Sequence, residues 1–249
     1  MTLSSVPKVV VRSVGEVHAD DRGYAVEEIS SVVAEGSEPM SDTGVKISLL
    51  TVPGLARPAI AQAQGVIKRG PLRAQVVAPT VREAVDGVVW RIGRQLARPP
   101  LPRPWKVSSC GSAPEIVPMA RRNITRAKAF HLERCTPRQA ALTMDRLDFN
   151  FHLFVDAETG EDSLIRRAGP TGYRLTRLNA MRPPAESPDP FTITIDVHKV
   201  PTAAPLEIAK LLGETEMGYR FFRDATTGRG NVVYRRYDGH FGLLAPAEG

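Results

Sequence analysis

The second half of this chain contains the same motif twice, 68 residues apart and without a gap. Residues 151–160 read FHLFVDAETG, and residues 219–228 read YRFFRDATTG. An apolar run that ends in Asp and is followed by Gly predicts a strand, a tight turn and a returning strand, because Asp offers a side-chain acceptor and Gly adopts positive φ. The repetition predicts that the chain builds one small fold twice.

Each copy extends well beyond the turn. Residues 124–178 and 192–244 both read as a strand, a helix and three strands, with Pro137 and Pro205 at matching positions in the first turn of the helix. A unit of about fifty residues buries too little apolar surface to be secure alone, so we expect the copies to pair. The expected pairing residues are Phe151, Leu153, Phe154, Tyr219, Phe221, Phe222, Val233, Tyr234 and Phe241.

The N-terminal residues 1–98 predict a separate domain in the order strand, helix, strand, strand, strand, helix. The expected strands are residues 8–12, 45–52, 58–68 and 72–78, with a hairpin turn at Arg69, and the first helix is capped by Asp20 or Asp21 and ends near Gly36. The pattern favours an α+β fold in which one sheet carries both helices on one face.

The last helix of this domain has the clearest signal. Thr80 and Glu83 form a capping box, and apolar residues follow at helical spacing. Arg91, Arg94 and Arg98 are three and four residues apart, so their guanidinium groups can project from one side and match successive phosphates. The alternative is an ordinary solvated helix face. Further candidates for the same basic surface are Arg82, Lys68, Arg69 and Arg73.

Two proline-rich stretches divide the chain. Residues 99–122 predict an extended basic linker in which Arg103 and Lys106 are available for contacts with RNA; the alternative, which the composition favours, is a plain soluble tether. Residues 181–191 predict a short stiff spacer. The expected organisation is therefore a domain at 1–98, the linker, a first repeat at 123–180, the spacer and a second repeat at 192–249.

Composition sets broad limits on function. The 249 residues carry a net charge of +6, which suits a polyanionic partner but is weak evidence alone. Because the first twenty residues have no apolar core of a signal peptide and no long apolar run follows, we expect a cytoplasmic protein without a membrane span. Cys110 and Cys135 are far apart, which argues against a disulfide or a zinc site.

An enzyme is not indicated. The histidines fall in separate elements without a catalytic or metal-binding motif: His18, His131, His152, His198 and His240. Asp156 and Asp224 resemble a carboxylate pair only because the repeat duplicates a turn. We therefore expect no catalytic residues, no metal, no cofactor and no small-molecule substrate.

The residues resemble a known family. Residues 78–96 and the element order before them are similar to the N-terminal domain of the ribosome hibernation factors, also called S30AE or sigma-54 modulation proteins. The second repeat resembles the C-terminal domain of long-form hibernation promoting factors through Phe221-Phe222, Asp224-Ala225, Thr227-Gly228, Val232 to Arg236 and Asp238 to Leu244. The first repeat resembles a diverged copy of the same domain.

The resemblance implies a role on the ribosome. In that family the N-terminal domain occupies the mRNA and tRNA channel of the 30S subunit and contacts 16S rRNA, and Arg91, Arg94 and Arg98 match the basic end of its last helix. Glu27, Glu28 and Glu35 depart from the family pattern, because basic residues are expected on the first helix. Inhibition of translation would be steric, on an idle and protected ribosome.

The two repeats change what the resemblance implies. In the family a single C-terminal domain makes a homodimer that joins two 70S ribosomes into a 100S particle. A short tether gives the neighbouring copy an effective concentration that can reach the millimolar range. We therefore expect an intramolecular pseudo-dimer and a monomeric protein on one 70S ribosome, similar to the actinobacterial, dormancy-associated and stress-responsive branch. The alternative is a protein-binding modulator of a sigma factor that does not bind rRNA.

Overall fold

The computed structural model describes residues 9–51, 55–56, 58–97, 117, 121–168, 172–179, 181–184 and 192–247. Over these residues the protein is α+β, with four helices and three sheets. It divides into two compact units, Met1–Arg103 with Arg146–Asp148, and Pro104–Asp145 with Phe149–Gly249. Among the helices in these described ranges, none is long and apolar enough to cross a membrane.

The first unit has the element order that the sequence predicts. Its elements are β1 (Val10–Val14), α1 (Ala19–Glu35), β2 (Ser41–Leu49), β3 (Ala59–Ile67), β4 (Gly70–Ala78) and α2 (Val81–Leu96). The sheet has the order β1-β2-β3-β4, in which β1 runs parallel to β2 and the later neighbours are antiparallel. Burial alternates along β3, so one face of the sheet packs with both helices in a single core and the other face is more open.

The N-terminal ends of the two helices agree with the sequence to different degrees. Thr80 caps α2 as predicted, because its Oγ1 accepts the Glu83 N–H at 3.3 Å. At α1 the predicted N-cap was wrong by two or three residues: His18 is the N-cap and makes no side-chain bond, while Asp20 and Asp21 lie inside the first turn. The helix dipole also favours carboxylates in the first turn, so an Asp near the start of a helix does not by itself mark the N-cap.

The second unit contains two sheets of five strands. Its elements are β5 (Ile124–Phe130), β6 (Arg134–Cys135), α3 (Pro137–Arg146), β7 (Phe151–Asp156), β8 (Asp162–Ala168), β9 (Gly172–Arg177), β10 (Thr192–Ile195), β11 (Thr202–Ala203), α4 (Pro205–Gly213), β12 (Tyr219–Asp224), β13 (Gly230–Arg235) and β14 (Phe241–Pro246). The sheet orders are β10-β9-β8-β7-β6 and β11-β12-β13-β14-β5.

These orders show a reciprocal exchange of strands. Strand β5, which the sequence assigns to the first repeat, pairs in parallel with β14 of the second, and β10 pairs in parallel with β9 of the first. Each sheet therefore takes one edge strand from the other copy, and it also contains a short strand that the sequence does not predict, β6 or β11. The exchange is invisible in the sequence because a parallel pair is joined by backbone hydrogen bonds, which are the same whichever copy supplies the strand.

Each sheet has its own helix and core. Helix α3 packs with β7, β8 and β9 around Phe154 and Ile165, and α4 packs with β12 and β13 around Phe222 and Val233. A further cluster contains residues of both sheets, among them Leu153 and Phe221. The second unit thus has three apolar layers, one under each helix and one shared by the sheets.

Candidate functional site

The predicted basic residue Arg82 on α2 is held by neighbouring side chains of α1. Arg82 forms an ion pair with Asp21 at 3.2 Å, and its guanidinium lies over the ring of Tyr24 at 5.1 Å. Tyr24 in turn donates to Asp86 at 2.6 Å, a hydrogen bond that raises the pKa of Tyr24 to about 12. Arg82 therefore helps to join α1 to α2.

The hairpin arginine Arg69 is also engaged within the unit. Its Nε donates to the buried carboxylate of Glu38 at 3.0 Å, and its Nη2 donates to the carbonyl oxygen of Gln95 at 3.0 Å. Lys68, its neighbour in the turn, is exposed. Of this pair, Lys68 has the more open position for an external anion.

The arginines of α2 do not form a uniform row. Arg91 is only 24% exposed and donates to the carbonyl oxygen of Gln75 on β4 at 2.8 Å, so it is tied to the sheet. Arg94 lies with its guanidinium 4.9 Å from the ring centre of Trp90, which is 53% exposed. A planar cation over an exposed indole is an arrangement that suits stacking against a nucleobase. Arg98 lies outside the described residues, as do Arg103 and Lys106.

The open face of the sheet presents further polar residues, two of which the sequence analysis missed. Arg12 on β1 is opposite Lys46 on β2, and Lys46 is opposite Gln62 on β3. Arg12 and Lys46 are both exposed, and Arg73 on β4 donates to Gln62 at 3.1 Å. The available signal was the alternation around Lys46, whose neighbours Val45 and Ile47 are buried. Arg12, Lys46 and Gln62 are among the residues that line a broad open groove.

The duplicated turn has the predicted geometry in both copies. Asp156 accepts the N–H of Glu158 at 2.9 Å, and Gly160 has a φ of 74°. Asp224 accepts the N–H of Thr226 at 2.8 Å, and Gly228 has a φ of 68°. Both aspartates therefore hold backbone, in agreement with their interpretation as turn formers.

The first copy has an additional buried ion pair. Arg177 is fully buried and donates to Asp156 at 2.6 Å and to Glu158 at 2.7 Å. Cys135 is also buried, and the loss of solvation raises the pKa of its thiol to about 11, so it stays protonated and unreactive. Among the described residues there is no group of three or more potential metal ligands.

The cluster shared by the sheets is built largely from equivalent positions of the two copies. Phe151 and Tyr219 are equivalent, and their ring centroids lie 4.3 Å apart. Leu153 and Phe221 are also equivalent, and both are buried in the cluster. The remaining members are Leu132, Leu164, Leu178, Val200, Val232 and Leu244. The predicted pairing residues that lie here are Phe151, Leu153, Tyr219 and Phe221.

The other predicted pairing residues lie elsewhere. Phe154 packs in the core of α3, whereas Phe222, Val233 and Phe241 pack in the core of α4. Tyr234 is half-buried on β13 and belongs to none of these cores. Neighbouring residues of a strand face opposite sides, so only alternate members of an apolar run can reach the shared layer. Val232 occupies that layer where the sequence analysis chose Val233.

Polar contacts join the copies beside this cluster. Asp162 of β8 accepts Arg229 Nε at 2.7 Å, Arg229 Nη2 at 3.0 Å and the Gly230 N–H at 2.8 Å. Arg223 Nη2 donates to Asn179 Oδ1 at 2.7 Å. These contacts are not predictable from the sequence, because polar residues near a turn carry no signal for partners 44 to 68 positions away.

Comparison with known proteins assigns this chain to a family. Residues 119–175 match the family model described as Sigma 54 modulation/S30EA ribosomal protein C terminus. The chain is similar to the dormancy associated translation inhibitor of Mycobacterium tuberculosis, in strains CDC 1551 and H37Rv. The identity is 33%, covering 96% of this chain and 89% of the relative. The chain belongs to the S30AE family of ribosome hibernation factors.

The S30AE match falls on an unexpected copy. The matched residues 119–175 contain the first repeat, which the sequence analysis describes as the diverged one. The chain also has a weak likeness to the crystal structure of the N-terminal domain of Thermus thermophilus Protein Y, with a TM-score of 0.30 and 18% identity over 37% of this chain and 96% of that one. The assignment to the S30AE family depends on the full-length relatives.

Proposed function

We propose that this protein is a ribosome hibernation factor, which binds the 30S subunit of a 70S ribosome in the mRNA and tRNA channel and inhibits translation by occupying it. The observation that carries the proposal is the similarity, over 96% of the chain, to a protein named for translation inhibition in dormancy. Such a protein acts in the cytoplasm, needs no cofactor and catalyses no reaction.

The proposed contact surface with 16S rRNA is the end of the first unit that carries Lys68, Arg94 and Trp90. Lys68 offers an ammonium to phosphate, and the Arg94–Trp90 stack offers a flat surface to a base. Arg12 and Lys46 extend the positive potential across the open face of the sheet. Arg98, Arg103 and Lys106 belong to the same proposed set.

The other predicted basic residues have a different part in this proposal. Arg82, Arg69, Arg73 and Arg91 each donate to a group within the first unit. They position α2 and the hairpin and contribute charge to the surface, while Lys68 contacts phosphate and the Arg94–Trp90 stack contacts a base.

The two repeats form an intramolecular pseudo-dimer in this proposal, so that one protein molecule occupies one 70S ribosome. Three observations support it: the apolar layer that contains residues of both sheets, the exchange of β5 and β10, and the bonds from Arg229 to Asp162. The surface that would recruit a second protein molecule is occupied by the other copy. We therefore expect no 100S particles.

Sedimentation with purified 70S ribosomes tests both parts. The protein is expected to pellet with ribosomes, to dissociate as salt increases, and to leave the ribosomes as a 70S peak. The Lys68→Glu/Arg94→Glu variant is expected to stay in the supernatant, while Lys199→Glu/Lys210→Glu, with the same change of charge in the second unit, still pellets.

Two outcomes would contradict the proposal. If the Lys68→Glu/Arg94→Glu substitutions leave binding unaffected, the assigned rRNA surface is wrong. If the protein produces a 100S peak, the proposed internal pairing is wrong. Failure of the unmodified protein to pellet with ribosomes at low salt would favour the alternative of a sigma-factor modulator.

A further inference from the structure

One carboxylate joins the two copies at a point where their sequences differ. Asp162 in the first copy is equivalent to Gly230 in the second, and these two positions contact each other: the carboxylate accepts the Gly230 N–H at 2.8 Å. Arg229 adds two further bonds to the same carboxylate, at 2.7 and 3.0 Å. With only 5% of its side chain exposed, Asp162 depends on these donors in place of water.

The space at this contact accepts only one side chain. A Cβ atom added at Gly230 would lie 2.8 Å from the Cβ of Asp162 and 2.9 Å from the ring of Phe221, closer than such atoms approach. Asp162 therefore fits because the opposite position has no side chain. A residue larger than glycine at both positions would force the sheets apart.

Pairing of two like copies would remove this match. Two first copies would bring Asp162 against Asp162, and Glu161 would replace Arg229 as the preceding residue, so that four carboxylates would meet without a cation. Two second copies would place glycine against glycine and leave both Arg229 side chains without a carboxylate. In the pair of first copies, the Asp162 carboxylates would be buried charges without a partner, which is strongly unfavourable. In the pair of second copies, Arg229 would lose its ion pair but, with 44% of its side chain exposed, would keep its contact with water.

A second contact has the same asymmetry. Arg223 of the second copy donates to Asn179 of the first at 2.7 Å. The equivalent positions are Val155 in the first copy and Ala247 in the second, neither of which has a polar side chain. Only the unlike pair of copies can make this bond, so two separate sites favour the same pairing.

We propose that Asp162, Arg229 and Gly230 are specificity determinants that make each copy accept only the other copy as its partner. This inference rests on the internal pairing of the proposed function and goes beyond it: proximity along the chain makes internal pairing fast, and the Asp162 contact makes pairing of like copies from two molecules unfavourable. The partner excluded is a second molecule of this chain.

Cleavage of the full-length protein tests the inference without relying on the tether. A protease site is placed in the spacer at residues 185–191, and the cleaved protein is unfolded, refolded as a mixture of both fragments and weighed by native mass spectrometry. We expect complexes of one N-terminal fragment with one C-terminal fragment. Like-with-like complexes in statistical proportion would overturn the proposal.

Substitutions separate specificity from folding. Gly230→Asp places two carboxylates and a clash at the contact, and should weaken the affinity of the fragments at least about 30-fold. Phe221 also lies against position 230, so it is exchanged with its equivalent Leu153. The sixfold exchange Leu153→Phe, Glu161→Arg, Asp162→Gly, Phe221→Leu, Arg229→Glu and Gly230→Asp moves the carboxylate and its neighbouring side chains to the second copy and should restore one-to-one pairing. Failure of that exchange to improve on Gly230→Asp would overturn the proposal. The control Glu216→Gln, at an exposed position, should leave pairing unchanged.

The results distinguish this inference from the proposed function. If like-with-like complexes form but the uncleaved protein still pellets with 70S ribosomes as a monomer, the specificity determinants are wrong and the proposed function stands. If the fragments pair strictly one-to-one but the uncleaved protein does not bind ribosomes, the determinants stand and the proposed function is wrong.

Discussion

Phe151 and Tyr219 occupy equivalent positions in the two copies, and their ring centroids lie 4.3 Å apart. Two positions related by the repeat can contact each other only if the two sheets meet through the same face. The ring contact therefore shows that the two copies pack against each other through equivalent faces, in the layer shared by β7, β8, β12 and β13. The stability of the second unit should depend on that layer.

Truncation inside the shared layer tests this dependence. Phe221 is 8% exposed, so Phe221→Ala should lower the free energy of unfolding by about 3–5 kcal/mol, through lost apolar burial and a cavity. Chemical denaturation measures the change. Leu206→Ala, at a position 61% exposed on α4, is the matched control and should change it by less than about 0.5 kcal/mol. Equal effects would show that the layer is not a core.

The buried ion pair of the first copy should be sensitive to the loss of one partner. Arg177→Leu leaves the fully buried carboxylate of Asp156 without its cation and should cost about 3–5 kcal/mol of unfolding free energy. Arg166→Leu is the control, because its contact with Asp196 is 4.0 Å long and partly exposed, worth at most about 1 kcal/mol. A mild effect of Arg177→Leu in thermal or chemical unfolding would contradict the assignment.

His152 should make stability depend on pH. Burial lowers its pKa from 6.5 to about 4, so the unfolded chain binds a proton more readily than the folded one between these values. The stability associated with neutral His152 is complete above pH 6.5 and is lost as the pH falls toward 4, by roughly 3 kcal/mol in full.

Denaturation of His152→Leu between pH 7 and pH 4 measures this contribution. The difference in unfolding free energy between wild type and variant should change in favour of the variant as the pH falls, because leucine takes up no proton. The exposed His131 provides the control: His131→Gln should follow the wild-type pH profile. A constant difference between His152→Leu and wild type would contradict the prediction.

Trp90 should matter for binding and not for folding. It is 53% exposed, so Trp90→Ala should leave the unfolding transition nearly unchanged, while the loss of a stacking surface should weaken ribosome binding by roughly 5- to 150-fold. Val26→Ala, which truncates a residue 39% exposed on α1, is the control for the loss of exposed apolar surface. Quantitative pelleting at fixed salt measures both. Unchanged binding of Trp90→Ala would remove the stack from the proposed rRNA surface.

Much of the local structure could be predicted because its causes lie within a few residues. The turns at Asp156 and Asp224 need one acceptor and one glycine, and α2 needs Thr80 before a helical apolar pattern. The basic surface was predicted less completely. Spacing puts Arg91 and Arg94 on one side of α2, but whether a guanidinium faces solvent, the carbonyl of Gln75 or the ring of Trp90 depends on what the sheet and helix place beside it.

The sequence by itself determined the duplication, the helix and the three following strands of each copy, and the family. The tertiary structure alone decided that β5 and β10 exchange sheets, that Val232 and not Val233 faces the shared layer, and that Asp162 meets Gly230. The physical reason is how far along the chain each interaction reaches. Turns, caps and alternation act between near neighbours, whereas the choice of a strand's partner is made by backbone hydrogen bonds common to all sequences, and is settled only when whole sheets pack.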